Sequence, residues 1–359
     1  MVKRWRAKAL LSLAGVCAGM VACNAQAQYV LDDKFPAKGF TFQEVSWLTV
    51  APDGKSVYLL QRGTPAVSVW SPDGLPQQWW KTTALGDPHS LRFQRLRVGG
   101  DRVWITDMAP PLLAGSRYGH CVKEFSLAGK FVRSIGTCGK NSEGSGLNPV
   151  QFDKITDIAF DSLGMFWISD GDLGGLNNRV LQLDGSGKVL QNWSAPNNQA
   201  GSGPGEFNLP HALDIDHCDR VFVADTLNHR IQVIRTDGTF LQQLQCFATD
   251  GVYGARVTRP TRNGRAQLFT TSSPTTSPTG GTVRIFDVAK SCTASKPVPD
   301  GCKTADQWDI TLPPAPSAAM LHMIDVARDG EVLYIATLGG NLPPQRWIRV
   351  APPSSPKKH

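Results

Sequence analysis

The sequence predicts an all-β fold, a single propeller of six four-stranded antiparallel blades over residues 43–350. Three observations carry this reading. A unit of short segments with alternating apolar residues recurs every 40 to 50 residues or so, the period of propeller blades. Asp-Gly pairs such as Asp237-Gly238 stand where tight hairpins need positive φ. Helical periodicity is nearly absent. The composition agrees: 41% apolar and 19% charged residues, with 35 Gly and 25 Pro among 359, suit a folded chain rich in turns and exclude disorder or coiled coil.

The elements follow in chain order. Lys3, Arg4, Arg6 and Lys8 precede an apolar run from Ala9 to Ala22, and Ala25-Gln26-Ala27 supplies a small-x-small cleavage site, so residues 1–27 read as a secretory signal peptide. Met20-Val21-Ala22-Cys23 offers a lipoprotein box instead, but Met is atypical at its first position and the downstream site fits better. No later segment approaches the roughly 20 apolar residues of a membrane span. A secreted or periplasmic protein, monomeric and without a membrane span, is expected. Removing the four basic residues of the signal from a formal charge of +7 leaves +3, two of which are Lys357 and Lys358. The folded body is thus close to neutral, and a nucleic-acid partner is not expected.

Residues 28–42 read as a lead-in. The clearest repeat runs from Gly205 through Pro210-His211-Ala212-Leu213, Arg220 to Asp225 and Asn228 to Ile234, and closes at Asp237-Gly238. An upstream copy has Ile155 to Phe160, Phe166 to Asp170, Asn178 to Leu183 and Asp184-Gly185. Others lie near 45–74, 88–131 and 322–350, and a degenerate fifth covers 252–288, interrupted by a Ser/Thr/Pro-rich loop from Thr271 to Gly280. Blades therefore begin near Val45, His89, Ile155, His211, Val252 and His322. Each sheet must stack on its neighbours, because it cannot bury both faces alone. The stretch 291–318 reads as a loop between the fifth and sixth blades, and 351–359 as a disordered tail. Cys17 and Cys23 leave with the signal, and the six remaining cysteines favour disulfides in an oxidising compartment. Fifteen pairings are possible. The nearest-neighbour set, Cys121 with Cys138, Cys218 with Cys246 and Cys292 with Cys302, needs the least chain rearrangement.

Aligning the blades on their first strands gives an alternation. The residue two before the first strand's apolar position is Ser46, His89, Thr156 and His211 in blades one to four and His322 in blade six, while blade five is too degenerate to read. First strands of a six-fold propeller converge on its axis, so alternate blades sit about 120° apart and their equivalent side chains can meet. Three imidazoles meeting there suit zinc, with a fourth position left for water or substrate; copper or iron are the alternatives. The competing reading leaves them as ordinary polar residues lining the channel. His229 belongs to the repeat, His120 and His217 to turns, and His359 to the terminus.

Phe207-x-x-Pro210, Val223-Ala224-Asp225 and Asn228-His229-Arg230-Ile231-Gln232 resemble the NHL repeat. Within that group, Pro88-His89-Ser90-Leu91, Pro210-His211-Ala212-Leu213 and Gln61-Arg62-Gly63 are similar to the peptidyl-α-hydroxyglycine α-amidating lyases, roughly over 43–350. The resemblance implies a catalytic zinc on His89, His211 and His322, a substrate carboxylate on Arg62, and Met320 lining the site. It implies cleavage of an N-substituted α-hydroxyglycine to an amide and glyoxylate. Two positions depart. Asp172 follows Ser169-Asp170-Gly171 where the family has a tyrosine, leaving Tyr118 or Asp172 as substitutes in proton handling. Met323 follows the third histidine where the family has an aspartate for a structural calcium, and Asp325 could reach that side only if the strand is bulged. The alternative function is a non-catalytic exported propeller that binds a protein or peptide on its top face. A propeller lactonase would need carboxylate and amide metal ligands, and no such set stands out.

Overall fold

Alternating apolar segments closed by turns become strands that bury one or both faces. The computed structural model describes residues 28–350 apart from 83, 97, 109–117, 143–145, 261–265, 277, 300, 314–317 and 328–329. Residues 1–27, expected to be a signal peptide, and 351–359, expected to be a tail, lie outside the described residues. After β1 (Gln28–Leu31) come four four-stranded antiparallel sheets in which consecutive strands are neighbours. The first holds β2 (Val45–Val50), β3 (Val57–Gln61), β4 (Val67–Trp70) and β5 (Pro76–Trp79). The second holds β6 (Pro88–Gln94), β7 (Arg102–Asp107), β8 (Cys121–Phe125) and β9 (Phe131–Ile135). The third holds β10 (Ile155–Phe160), β11 (Phe166–Asp170), β12 (Arg179–Leu183) and β13 (Val189–Ser194). The fourth holds β14 (Pro210–Ile215), β15 (Arg220–Asp225), β16 (Arg230–Arg235) and β17 (Phe240–Leu244).

The other eight strands form one sheet with two antiparallel runs. One run is β18 (Asp250–Val257), β19 (Ala266–Pro274), β20 (Thr279–Val288) and β21 (Asp306–Thr311). The other is β22 (Ala319–Ala327), β23 (Val332–Leu338) and β24 (Gln345–Val350), completed by β1. Parallel pairing at Thr279 with Ala319 and Gly280 with Met320 joins the two runs. The protein is thus an all-β propeller with four-stranded antiparallel blades, and its first strands lie side by side in a ring, β2 on β6, β6 on β10, β10 on β14, β14 on β18, β18 on β22 and β22 on β2.

The core lies between the sheets, as stacking requires. Trp104, Val122 and Ile135 of the second sheet pack on Ile158, Phe166 and Leu181 of the third. Trp167 and Val180 on the third's other face pack on Leu213, Val221 and Ile234 of the fourth. Each fully buried side chain of this kind contributes about 1.5–3 kcal/mol of transfer free energy.

Four expectations are corrected. The lead-in contributes a strand: β1 runs antiparallel to β24 from Gln28 opposite Val350 to Leu31 opposite Trp347. The run Thr271 to Gly280 is mostly strand, since β19 extends to Pro274 and β20 starts at Thr279. The stretch 291–318 contains β21, the fourth strand of its sheet. Of the nearest-neighbour disulfides only Cys121–Cys138 forms; the others are Cys218–Cys292 and Cys246–Cys302, with Cα–Cα distances of 5.1 and 5.3 Å. The reason is where the segment after β20 lies. It runs along the fourth sheet, where Arg220 Nη2 donates to Ala289 O, Arg235 Nη2 to Cys292 O and Gln242 Nε2 to Val298 O. Longer loops cost little extra closure entropy, so this packing overrides sequence proximity.

Candidate metal centre

Two local devices aim side chains at the axis. The first is the aspartate that ends the second strand of a sheet, which accepts backbone N–H groups from the segment entering the first strand. Asp107 takes Gly86 N and Asp87 N just before His89, Asp170 takes Asp153 N, and Asp225 takes Asn208 N just before His211. A cation on the third strand neutralises each: Lys123 in mid-strand at 2.5 Å, and Arg179 and Arg230 at the strand start at 2.9 and 2.7 Å. The second device is a bulge in every first strand. The register with the second strand skips Ser46, His89, Thr156, Tyr253 and His322, and between Pro210 and Leu213 it skips His211 with Ala212. A bulge re-aims a side chain and ends local pairing, so the predicted alternation is an alternation of bulged residues. Tyr253 is the fifth-sheet member that sequence reading missed. The apolar position two residues on is filled by the small Ala255, and no Pro-His pair marks the start of this strand.

The three histidines converge. Their ring centroids are 4.7 Å apart for His89 and His211, 5.1 Å for His89 and His322, and 4.6 Å for His211 and His322. One nitrogen from each lies within 4.8 Å of the others, and all three residues are buried. Each ring is oriented by the next sheet's bulge. His89 Nδ1 donates to Thr156 O at 2.7 Å, His211 Nδ1 to Tyr253 O at 2.7 Å and His322 Nδ1 to Ser46 O at 2.6 Å. A carbonyl can only accept, so Nδ1 carries the proton and Nε2 keeps its lone pair. Burial, with the neighbouring imidazoles and Arg62, holds His89 and His322 well below the ordinary histidine range, and burial also lowers His211. His89 Nε2 is buried with no hydrogen-bond partner. Three neutral imidazoles with converging lone pairs, one of them orphaned, fit a divalent metal of the zinc kind.

Other predicted residues fall around this centre. Arg62, directly after β3, has its Nε 3.3 Å from Asp87 Oδ1, and burial raises Asp87 to about 6 although Arg62 opposes the shift. Asp172 Oδ2 lies 3.8 Å from His89 Nε2. The Tyr253 ring stands edge-on to His211 at 5.3 Å and stacks toward His322 at 6.2 Å. Met320 sits on β22 two residues before His322, half-buried, and its main chain pairs with Gly280. Tyr118 lies beside Gly86, with Lys123 Nζ 5.2 Å from its ring centre. A second group, His217, Cys218 and Cys292, has its sulfurs joined in a disulfide.

Below the histidines the first strands carry an ionic tier. Arg92 donates through Nε and Nη2 to Asp157 and through Nη2 to Leu213 O. Arg256 bridges Asp214 at 3.0 Å and Asp325 at 2.7 Å. The strand bearing Asp325 is bulged, and this carboxylate reaches the first strands on either side, where it accepts from Thr49 Oγ1 and Val50 N of β2 and from Arg256 of β18.

No protein-family model matches the chain. NHL repeat-containing protein 3 of Mus musculus is 39% identical over 206 residues, 56% of this chain and 55% of that protein, so the match spans about half the relative's length. Peptidylglycine alpha-amidating monooxygenase of Rattus norvegicus is 38% identical over 88 residues, 24% of this chain and 9% of that protein. A structure of luciferin-regenerating enzyme superposes with a TM-score of 0.53 at 11% identity, covering 91% of this chain and 96% of that one, a likeness of fold. The chain is thus an all-β propeller that is similar over about half its length to an NHL repeat-containing protein and over a shorter stretch to the amidating enzyme.

Proposed function

We propose that this NHL-type propeller is an exported, zinc-dependent enzyme of the lyase kind that cleaves an N-substituted α-hydroxyglycine to an amide and glyoxylate. The carrying observation is the convergence of His89, His211 and His322 with protonated Nδ1 atoms turned outward and the orphaned Nε2 of His89 facing the others. We count six blades, dividing the eight-stranded sheet at its two-residue parallel bridge. Export is supported by three disulfides, which persist in oxidising compartments. Among the described residues no helix is long and apolar enough to cross a membrane.

His89, His211 and His322 would hold the metal, and Ser46 O, Thr156 O and Tyr253 O keep their rings from turning. The bound ion supplies Lewis-acid chemistry that lowers the pKa of a hydroxyl. In the reaction the α-hydroxyl loses its proton, the C–N bond breaks with its electron pair passing to nitrogen, nitrogen gains a proton, and the carbonyl of glyoxylate forms. Arg62 binds the substrate carboxylate. Its ion pair with Asp87 runs through the buried Nε, which leaves the Nη groups as the donors a carboxylate would meet. Calcium is not invoked, because Met323 follows His322 and the Asp325 oxygens already accept from Arg256, Thr49 and Val50.

The test is glyoxylate release from α-hydroxyhippurate by metal-loaded protein against a chelated control. Metal-dependent release is expected. A protein with zinc at the histidines and no release above the control would remove this substrate class, and a protein that takes up no metal would leave a peptide-binding propeller as the reading.

A further inference from the structure

Asp172 is a carboxylate beside neutral imidazoles. Among the described residues no lysine or arginine lies within the 4.0 Å ion-pair limit of it, and its partner at that range is His89. Its position is built. Gly171 N and Asp172 N both donate to Lys154 O, at 3.1 and 3.0 Å, which ties the loop to the entrance of β10. Gly171 has φ +148, and a Cβ there would stand 2.1 Å from Asn177 O, so glycine is required for the chain to turn inward. Asp172 Oδ1 accepts Leu173 N at 2.7 Å, which fixes the carboxylate plane and leaves Oδ2 toward His89 Nε2 at 3.8 Å.

We propose that Asp172 is a fourth ligand of the centre, making it a three-histidine, one-aspartate site. The inference rests on the metal reading above. Zinc bonds of about 2.0–2.2 Å place tetrahedral ligand atoms about 3.3–3.6 Å apart, so Oδ2 is within a few tenths of an ångström of the required distance to His89 Nε2 and must travel farther toward His211 and His322, since it lies outside the set of atoms within 4.8 Å of one another. The glycines at 174 and 175 flank that turn. Charge favours the contact: a carboxylate taken partly out of water beside uncharged rings lacks a counter-ion, and a divalent metal supplies one. The resting site is then closed, and a substrate hydroxyl enters by displacing Asp172 or by expansion to five-coordination.

The test uses full-length protein with zinc and with cobalt(II). Chelator competition reads affinity, and the visible cobalt spectrum reads the ligand set. Asp172→Asn keeps an acceptor for Leu173 N but loses the charge. It should weaken zinc at least about tenfold and alter the cobalt bands; Asp172→Ala should do the same, and Asp172→Glu should recover part of both. Wild-type protein that binds one zinc while Asp172→Asn matches it in both readouts would overturn the ligand assignment and leave the histidine site standing. Weakened affinity with an unchanged cobalt spectrum would also overturn it, assigning Asp172 a purely electrostatic effect. Loss of zinc only when the histidines are replaced returns the open three-ligand site, and wild-type protein that binds no metal removes both readings.

Discussion

Arg179 and Arg230 lie inside the molecule, each against the aspartate that ends the preceding strand, whereas Arg62 faces the candidate site with about a quarter of its side chain exposed. The two settings predict different losses. Arg179→Ala leaves Asp170 buried without its counter-ion and with its carboxyl raised further above about 6, and should cost about 3–5 kcal/mol in denaturant unfolding. Arg62→Ala leaves stability nearly unchanged and raises KM for the hydroxyglycine about tenfold or more, as loss of a charge-assisted contact of about 1.5–3 kcal/mol does, with kcat less affected because ground and transition states both carry the carboxylate. The three histidines were legible because Pro-His precedes an apolar alternation in two repeats. Tyr253 was not, because no Pro-His pair marks it and only the small Ala255 fills the apolar position after it, and neither was the approach of Asp172, which depends on the path of a glycine-rich loop.

At the scale of elements, the sequence reading found the strands that alternate cleanly and missed those whose partners lie far along the chain. β1 and β21 are short, mixed in polarity and exposed on one side, so nothing local distinguishes them from loop. Tertiary packing makes them strands. The Tyr29 ring stacks on Trp308 at 5.0 Å between centroids, and its hydroxyl donates to Gly330 O at 2.5 Å. Tyr29→Ala should therefore lower stability by about 3–5 kcal/mol, the range for a buried aromatic, and thermal unfolding would read the loss. A change below about 0.5 kcal/mol, the range of an ordinary surface substitution, would mean that β1 is not held by this ring.

For the whole molecule, the disulfides couple sheets. Cys218–Cys292 and Cys246–Cys302 fasten the segment between β20 and β21 to the fourth sheet. A non-reducing peptide map should recover these two links and no Cys292–Cys302 peptide. Replacing Cys246 and Cys302 together by Ser should cost about 2–5 kcal/mol. The pairing of β1 with β24 has a further consequence, for assembly. A chain emerging in order can finish its first four sheets early, but the edge of β24 stays unpaired until the two ends of the folded body meet. Such non-local closure is slow, and an open edge invites other strands. A protein lacking 28–31 should accordingly self-associate through that edge, and a synthetic peptide spanning Gln28–Leu31 with its flanking residues should compete with the association by donating the missing strand in trans.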